Sequence, residues 1–147
     1  IFLETAENEK EHAKVFFKYL EGGEVEITAA WPAGVIGDTK ANLQAAADGE
    51  KHEWSVLYAE FERAAREEGF PEIADSFREI GEVEEFHEAR YRKLLSNVVN
   101  GEAFRKPSAV KWHCRNCGYV HEGPEAPDVC PACRHPRAHY EVLAESY

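Results

Sequence analysis

A polar pair is set into the apolar face of a helix twice in this chain, and this repetition restricts the fold more than any other feature. Residues 2–20, FLETAENEKEHAKVFFKYL, align with residues 77–95, FREIGEVEEFHEARYRKLL. In the first copy, helical spacing places on one face Phe2, Thr5, Glu9, His12, Phe16 and Tyr19. A carboxylate is costly to bury unless a partner compensates its charge. The pattern therefore predicts two packed helices that each direct a Glu-x-x-His pair inward.

The helix between the two copies carries a third polar pair. Its inward positions are Leu43, Ala46, Glu50, Glu53, Leu57, Phe61 and Ala64. Six polar groups would then share one interior, namely Glu9, His12, Glu50, Glu53, Glu84 and His87. Four carboxylates that are buried together repel one another, and metal cations are the usual source of the missing positive charge. Solvated helix faces are the alternative interpretation, but they would not place three pairs in register with apolar positions.

The donor set indicates which metal the bundle would bind. Carboxylate oxygens suit iron and manganese, and imidazole nitrogens add borderline ligands. A Glu-x-x-His pair on each of two helices, with a glutamate from each of two others, is the ligand pattern of di-iron carboxylate bundles. A glutamate equivalent to Glu50 should also precede the first copy, at a position before residue 1. Since the sequence contains no methionine, we expect a further helix with another glutamate ligand upstream of this chain.

The chain is expected to form two domains. A helical domain spans residues 1–100, a linker spans 101–111, and a small metal domain spans 112–147. Within the first domain, helices are expected over residues 1–20, about 38–68 and about 71–97, with an extended crossover after the first. This is a mainly α fold, a ferritin-like four-helix bundle with three of its helices in the chain.

Four cysteines characterise the second domain. Cys114 and Cys117 form one C-x-x-C motif, and Cys130 and Cys133 form another. Two such motifs can close four thiolates around one tetrahedral metal, which we favour over two disulfides. Spacing does not distinguish iron from zinc, because both accept four sulfur ligands. Zinc would make the site structural, whereas iron would make it a one-electron relay.

Charge excludes some functions. The formal net charge is −11, which argues against binding to nucleic acid or to anionic membranes. No apolar run is long enough to span a bilayer, and the first residues lack the pattern of a signal peptide. We therefore expect a cytoplasmic protein, a setting in which cysteines bind metals more often than they form disulfides.

Taken together, the motifs ENEKEHA, DGEKHEW, EEFHEAR and WHCRNCGYVHEG...CPAC resemble those of the rubrerythrins. These proteins combine a ferritin-like di-iron bundle with a rubredoxin-like domain, and the resemblance extends over essentially the whole chain. It implies that Glu9 and Glu84 bridge two irons, and that Glu50 and His87 complete the ligands of one of them. Glu53 and His12 would be exchanging ligands of the other iron, and Tyr58 would lie beside the site. The third iron would be held by Cys114, Cys117, Cys130 and Cys133.

The resemblance also implies a function. A homodimer would reduce hydrogen peroxide to water, with Glu53, His12 and Tyr58 in catalytic roles. Electrons would reach the rubredoxin-like iron from a reduced nicotinamide through a separate reductase or rubredoxin. One alternative is a ferroxidase or iron-storage protein, although storage needs no dedicated electron inlet. A second is a non-enzymatic bundle with a zinc ribbon, which would require the inward glutamates to be solvated.

Overall fold

The first part of the chain is helical and the last part is a small sheet. The computed structural model describes residues 1–145. Two compact units meet in sequence between Lys93 and Leu94. This boundary lies inside the last helix, so the helix begins in one unit and ends in the other.

Three long helices form the first unit, as the sequence predicts. Their segments are α1 (Phe2–Phe17), α2 (Thr39–His52), α3 (Tyr58–Glu67) and α4 (Pro71–Val99). A single π-helical turn, Glu53–Leu57, joins α2 and α3 into one helix. Asp38 caps α2 by accepting a hydrogen bond from the Ala41 N–H at 2.8 Å. Gly69, with φ of +86°, ends α3, and Pro71 begins α4 in the position where its missing N–H costs nothing.

The segment between α1 and α2 has no regular secondary structure. The helix α1 ends at Phe17, three residues before the expected end, and the following residues up to Asp38 are exposed. Apolar side chains do not pack there: Trp31 is 82% exposed and Val35 is 96% exposed. The expected extended crossover is therefore present, and it contributes little to the core.

The interior of the helical unit is unusually polar. Its buried apolar residues are Leu43, Ala47, Ala65, Ala74, Ile80 and Tyr91. Beside them are buried Thr5, Glu50, Glu84 and His87. Next to these polar groups, the ring of Phe16 stacks on Phe77 with centroids 4.6 Å apart, and Tyr58 and Phe61 tilt against the same Phe77 ring. Aromatic rings therefore pack beside the polar cluster.

Several predicted inward positions are not buried: Phe2, Tyr19 and Phe61 are exposed, and Ala47 is buried in place of Ala46. The helical period predicts Ala64 on the inner face, but Ala64 is exposed and Ala65 is buried. The π turn that precedes α3 contains one more residue per turn than an α-helix, so it shifts the positions that follow it by about one residue.

The second unit is a three-stranded antiparallel sheet in the order β2-β1-β3. Its strands are β1 (Arg105–Cys114), β2 (Val120–Glu125) and β3 (Tyr140–Val142). A small core contains Trp112, Cys114, Ala126, Cys130 and Tyr140. Because β1 begins at Arg105, the expected linker 101–111 is wrong over most of its length. Backbone pairing with β2 holds Arg105 and then Val110 onward, and Pro107 lies in the irregular stretch between them.

Among residues 1–145, no helix is both long and apolar enough to cross a membrane.

Candidate metal centres

The helical repeat brings four ligand candidates to one point. Glu9 comes from α1, Glu50 from α2, and Glu84 and His87 from α4. One ligand atom from each of these residues lies within 4.8 Å of the ligand atoms of the other three. Glu84 is completely buried and His87 is 2% exposed. The three-residue spacing of Glu84 and His87 explains why both side chains point to this cluster, because positions i and i+3 of a helix project from the same face.

Two carboxylates in this cluster each face two histidines. The Oε1 and Oε2 atoms of Glu84 lie 2.9 Å from the Nδ1 atoms of His12 and His87, respectively. Glu9 behaves in the same way, since Oε2 lies 3.0 Å from His12 Nδ1 and Oε1 lies 3.3 Å from His87 Nδ1. A carboxylate whose oxygens point to two different nitrogen ligands has the arrangement needed to bridge two cations. Glu50 lies on the His87 side, with Oε1 3.6 Å from His87 Nδ1.

Buried polar atoms in the cluster lack hydrogen bonds, which tests whether metal ions fit. Within the described part of the chain, hydrogen-bond partners are absent for Glu9 Oε1, Glu50 Oε2, both oxygens of Glu84 and His87 Nδ1. Buried polar atoms are normally hydrogen bonded. Here the atoms are close to one another but are not aligned as donors and acceptors. Lone pairs that converge without hydrogen-bond geometry are what cation ligands require, so the residues fit a di-metal centre.

Electrostatics in the metal-free cluster support this interpretation. The carboxylate of Glu84, 2.9 Å from His12 Nδ1, and then that of Glu9 raise the pKa of His12 to about 10, so its imidazole carries a positive charge. Burial, followed by the negative charges of Glu84 and Glu9, raises the pKa of Glu50 to about 8. Protons therefore supply the positive charge that metal ions would supply, and a metal would have to displace them.

Glu53 lies at the edge of the cluster. It is half-buried and is not one of the four residues whose ligand atoms converge. Burial, then the charges of Glu9 and Glu84, raises the pKa of Glu53 to about 7, which places its carboxyl group near theirs. Glu53 also begins the π turn, and its carbonyl oxygen accepts the hydrogen bond that the Tyr58 N–H donates five residues later. Single π turns in helices are frequent at functional sites.

Tyr58 is at the other end of the same turn. It is half-buried against Phe16 and Phe77. Burial, followed by the charges of Glu84, Glu53 and Glu9, raises the pKa of the Tyr58 hydroxyl well above its ordinary value. The phenol therefore keeps its proton at neutral pH. Its side chain is thus a neutral hydrogen-bond donor close to the carboxylates.

The four cysteines form the second centre. Cys114 Sγ lies 3.8 Å from Cys133 Sγ, and Cys117 Sγ lies 3.7 Å from Cys130 Sγ. A disulfide would bring sulfurs to about 2.05 Å, whereas four sulfurs at about 2.3 Å from a tetrahedral metal are about 3.8 Å apart. The described cysteines are not joined by disulfides. The observed spacing therefore fits one metal ion with four thiolate ligands.

Tight backbone turns shape each cysteine pair. The N–H of Gly118 donates to the carbonyl of Cys114 at 2.8 Å, and Gly118 has φ of +81°. The N–H of Arg134 donates to the carbonyl of Cys130 at 2.9 Å, and Arg134 also has positive φ, at 63°. A left-handed residue directly after each C-x-x-C motif turns the chain around the sulfurs. The glycine could be anticipated from the sequence, but the arginine could not, because non-glycine residues rarely adopt this conformation.

Sequence reasoning missed His135. A hydrogen bond from its backbone is the main reason that the pKa of Cys133 falls to about 5. Its Nδ1 atom also lies 3.1 Å from the Cys133 carbonyl oxygen and 3.2 Å from the Asn116 side-chain amide. The sequence feature that could have identified His135 is its position two residues after the second C-x-x-C motif.

Comparisons with known proteins agree with this geometry. A sequence model of the family described as rubrerythrin matches residues 1–95, and one described as "Rubrerythrin, rubredoxin-like domain" matches residues 112–141. The rubrerythrin of Nitratidesulfovibrio vulgaris is 57% identical over 143 residues, which cover 97% of this chain and 75% of that protein. The rubrerythrin of Porphyromonas gingivalis is 54% identical over 147 residues, which cover 100% of this chain and 74% of that protein.

A solved structure is also similar. It is described as the partially reduced state of nigerythrin and is 26% identical to this chain, with a TM-score of 0.49. The match covers 90% of this chain and 62% of the nigerythrin chain, so this chain spans less than two thirds of that one.

Proposed function

The chain belongs to the rubrerythrin family, and from this premise we propose that it reduces hydrogen peroxide to water at the carboxylate cluster, with electrons that enter through the cysteine centre. Rubrerythrins are oxidoreductases that combine a carboxylate and histidine di-iron site with a four-cysteine rubredoxin-like site. The observation that carries the proposal is that both donor sets occur in this one chain. A cluster that only stored iron would have no use for a thiolate centre capable of one-electron transfer.

Glu9 and Glu84 are the proposed bridging ligands. Each presents its two oxygens to His12 and His87 separately, at distances from 2.9 to 3.3 Å. Glu50 lies within 3.6 Å of His87, so these two would complete the ligands of one iron. His12 lies on the opposite side of both bridging carboxylates and would serve the other iron.

Glu53 is proposed to alternate with His12 at that second iron. The charges of Glu9 and Glu84 contribute to its raised pKa, but its carboxylate is not one of the four ligand groups that converge in the cluster. An anionic oxygen ligand is favoured when the metal charge increases, whereas a neutral imidazole suits the lower charge. Glu53, at the edge of the cluster, would therefore be able to bind that iron in the higher oxidation state and to leave it in the lower one.

The reaction requires two electrons and two protons for each peroxide, since H2O2 + 2 H+ + 2 e− gives 2 H2O. Two ferrous ions would supply the electron pair that breaks the O–O bond. The residues around the cluster would position the peroxide and carry protons: the Tyr58 hydroxyl, which keeps its proton at neutral pH, can donate a hydrogen bond, and the Glu53 carboxyl can carry a proton while it is not a metal ligand. Phe16 and Phe77 pack against the ring of Tyr58 and hold it in place.

The cysteine centre is the proposed electron inlet. Cys114, Cys117, Cys130 and Cys133 would hold one iron that accepts electrons singly from a rubredoxin or a separate reductase, with a reduced nicotinamide as the first donor. We also propose that the protein acts as a homodimer in the cytoplasm. Its acidic charge and reduced cysteines are consistent with that setting.

A single-turnover experiment tests the proposal. The full chain with both centres loaded with iron and reduced under anaerobic conditions is mixed with hydrogen peroxide or with oxygen, and the ferric-thiolate absorption of the cysteine centre is followed. We expect peroxide to oxidise the protein faster than oxygen does, with two electrons consumed per peroxide. The Glu53→Gln variant should slow the reaction with peroxide, whereas Glu60→Gln, which changes an exposed carboxylate on α3, should not.

The ferroxidase and storage alternative predicts a different outcome. Oxygen would then be the faster oxidant, and added ferrous iron would accumulate beyond three ions per chain. That result would contradict the peroxidase proposal.

A further inference from the structure

A chain of hydrogen bonds that involves none of the ligand candidates connects α2, the π turn and α4. The Trp54 indole N–H donates to Glu88 Oε2 at 2.7 Å. Arg92 donates to the other oxygen of Glu88 from Nε at 2.5 Å, and to Asp48 Oδ1 from Nη2 at 3.3 Å. Asp48 in turn accepts from the Gln44 side-chain amide at 2.8 and 2.9 Å. Asp48, Trp54, Glu88 and Arg92 are called the brace below.

The brace residues are close neighbours in sequence of the ligand candidates. Trp54 directly follows Glu53, and Glu88 directly follows His87. The bond between Trp54 and Glu88 therefore links two stretches of backbone. One carries Glu53, a ligand candidate for one metal, and the other carries His87, a ligand candidate for the second metal. Trp54 and Glu88 are both half-buried, so solvent competes weakly for this bond.

The π turn is the part of the helix that most needs such support. Its closing bond, from the Tyr58 N–H to the Glu53 carbonyl, spans five residues instead of four. Isolated π turns are rare, because this geometry is less favourable than that of the α-helix around it. An ionised acceptor makes the bond from Trp54 stronger than one between neutral groups. Trp54 is the second residue of the turn, so the bond acts directly on the wide part of the helix.

We propose that the brace is a positioning device for Glu53: it fixes the π turn against α4, so that the Glu53 carboxylate moves on a stationary backbone. The proposal rests on the assigned role of Glu53 as an exchangeable ligand. With the brace intact, only side-chain rotation separates the two positions of that carboxylate. Without it, the turn can relax toward an α-helix, which would rotate Glu53 away from the cluster. Trp54 is thereby assigned a specific role.

The first test uses metal-free protein. Trp54→Phe keeps most of the ring but removes the N–H donor, and Trp31→Phe is the matched control, because Trp31 is 82% exposed in the crossover. Hydrogen exchange at the Tyr58 amide should become about tenfold faster in Trp54→Phe and stay unchanged in Trp31→Phe. Amides in the middle of α1 should not change. Unchanged exchange at Tyr58, or an equal increase at all core amides, would overturn the proposal.

The second test asks whether the effect acts through Glu53. Co(II) is titrated into protein whose cysteine site holds zinc, and the spectrum reports binding at the carboxylate cluster. Outer residues that orient ligands typically contribute 10- to 100-fold to metal affinity. We expect Trp54→Phe to weaken one of two binding events about tenfold, and to cause no further loss in a Glu53→Gln background. Additive losses in the double variant would show a merely structural role and would contradict the proposal.

The two proposals fail separately. If the unsubstituted protein bound fewer than two Co(II) ions at the cluster, the peroxidase proposal would fall. The Tyr58 exchange rates would still decide whether the brace fixes the π turn.

Discussion

Metal binding at the carboxylate cluster should release protons, and the raised pKa values of three groups set how that release depends on pH. The pKa is about 8 for Glu50, about 7 for Glu53 and about 10 for His12 in the metal-free protein. At pH 7, Glu50 therefore holds about 0.9 of a proton, Glu53 about half and His12 about one. Two divalent cations favour the unprotonated form of all three groups. Between two and three protons should leave at pH 7, and about one at pH 9.

The sign of the pH dependence follows. All three pKa values are raised, so protons compete with metal below pH 8 at Glu50 and below pH 10 at His12. Affinity should increase with pH through this range. The Glu50→Gln substitution removes one titrating group and should reduce the release at pH 7 by up to one proton for each pair of metal ions bound, whereas Glu60→Gln should leave it unchanged.

Calorimetry provides the assay. Ferrous iron is titrated anaerobically into protein whose cysteine site is already filled, in two buffers with different ionisation enthalpies, and the difference in heat gives the protons released. Fewer than one proton at pH 7, or a release that is equal at pH 7 and pH 9, would refute the reasoning. Either result would mean that the cluster is not held together by protons when the metal is absent.

Three further outcomes are expected. Cys133→Ser should abolish the thiolate-to-iron absorption and the peroxide turnover, because it removes one of the four converging thiolates. Thr5→Val should lower the free energy of unfolding by about 1–3 kcal/mol in denaturant titrations, because the buried Thr5 hydroxyl accepts from Arg90 at 2.7 Å and valine cannot. Leu43→Ala should lower it by about 2–5 kcal/mol in the same assay, because Leu43 is buried and its truncation leaves a cavity.

Much of the helical site could be predicted because it is local in sequence. Glu84 and His87 are three residues apart on a strongly periodic helix, and both are buried where the period predicts. The four cysteines were predictable for the same reason, since two C-x-x-C motifs limit where their sulfurs can lie.

Other features depend on tertiary structure. The π turn Glu53–Leu57 has no local sequence signature, and as a result the buried position moves from Ala64 to Ala65. The bond from Trp54 to Glu88 joins residues on different helices, so periodicity carries no information about it. Strand β1 begins at Arg105, in a segment whose proline and charges are typical of a linker, because pairing with β2 outweighs these local preferences.

The iron environments of the purified chain test the central claim most directly. A Mössbauer spectrum of protein loaded with iron should resolve two irons in oxygen and nitrogen coordination for each iron in tetrahedral sulfur coordination, with three irons per chain. Iron confined to the sulfur site, or zinc in that site with no iron pair elsewhere, would contradict the account. The carboxylate cluster would then be a proton-stabilised core rather than a di-iron centre.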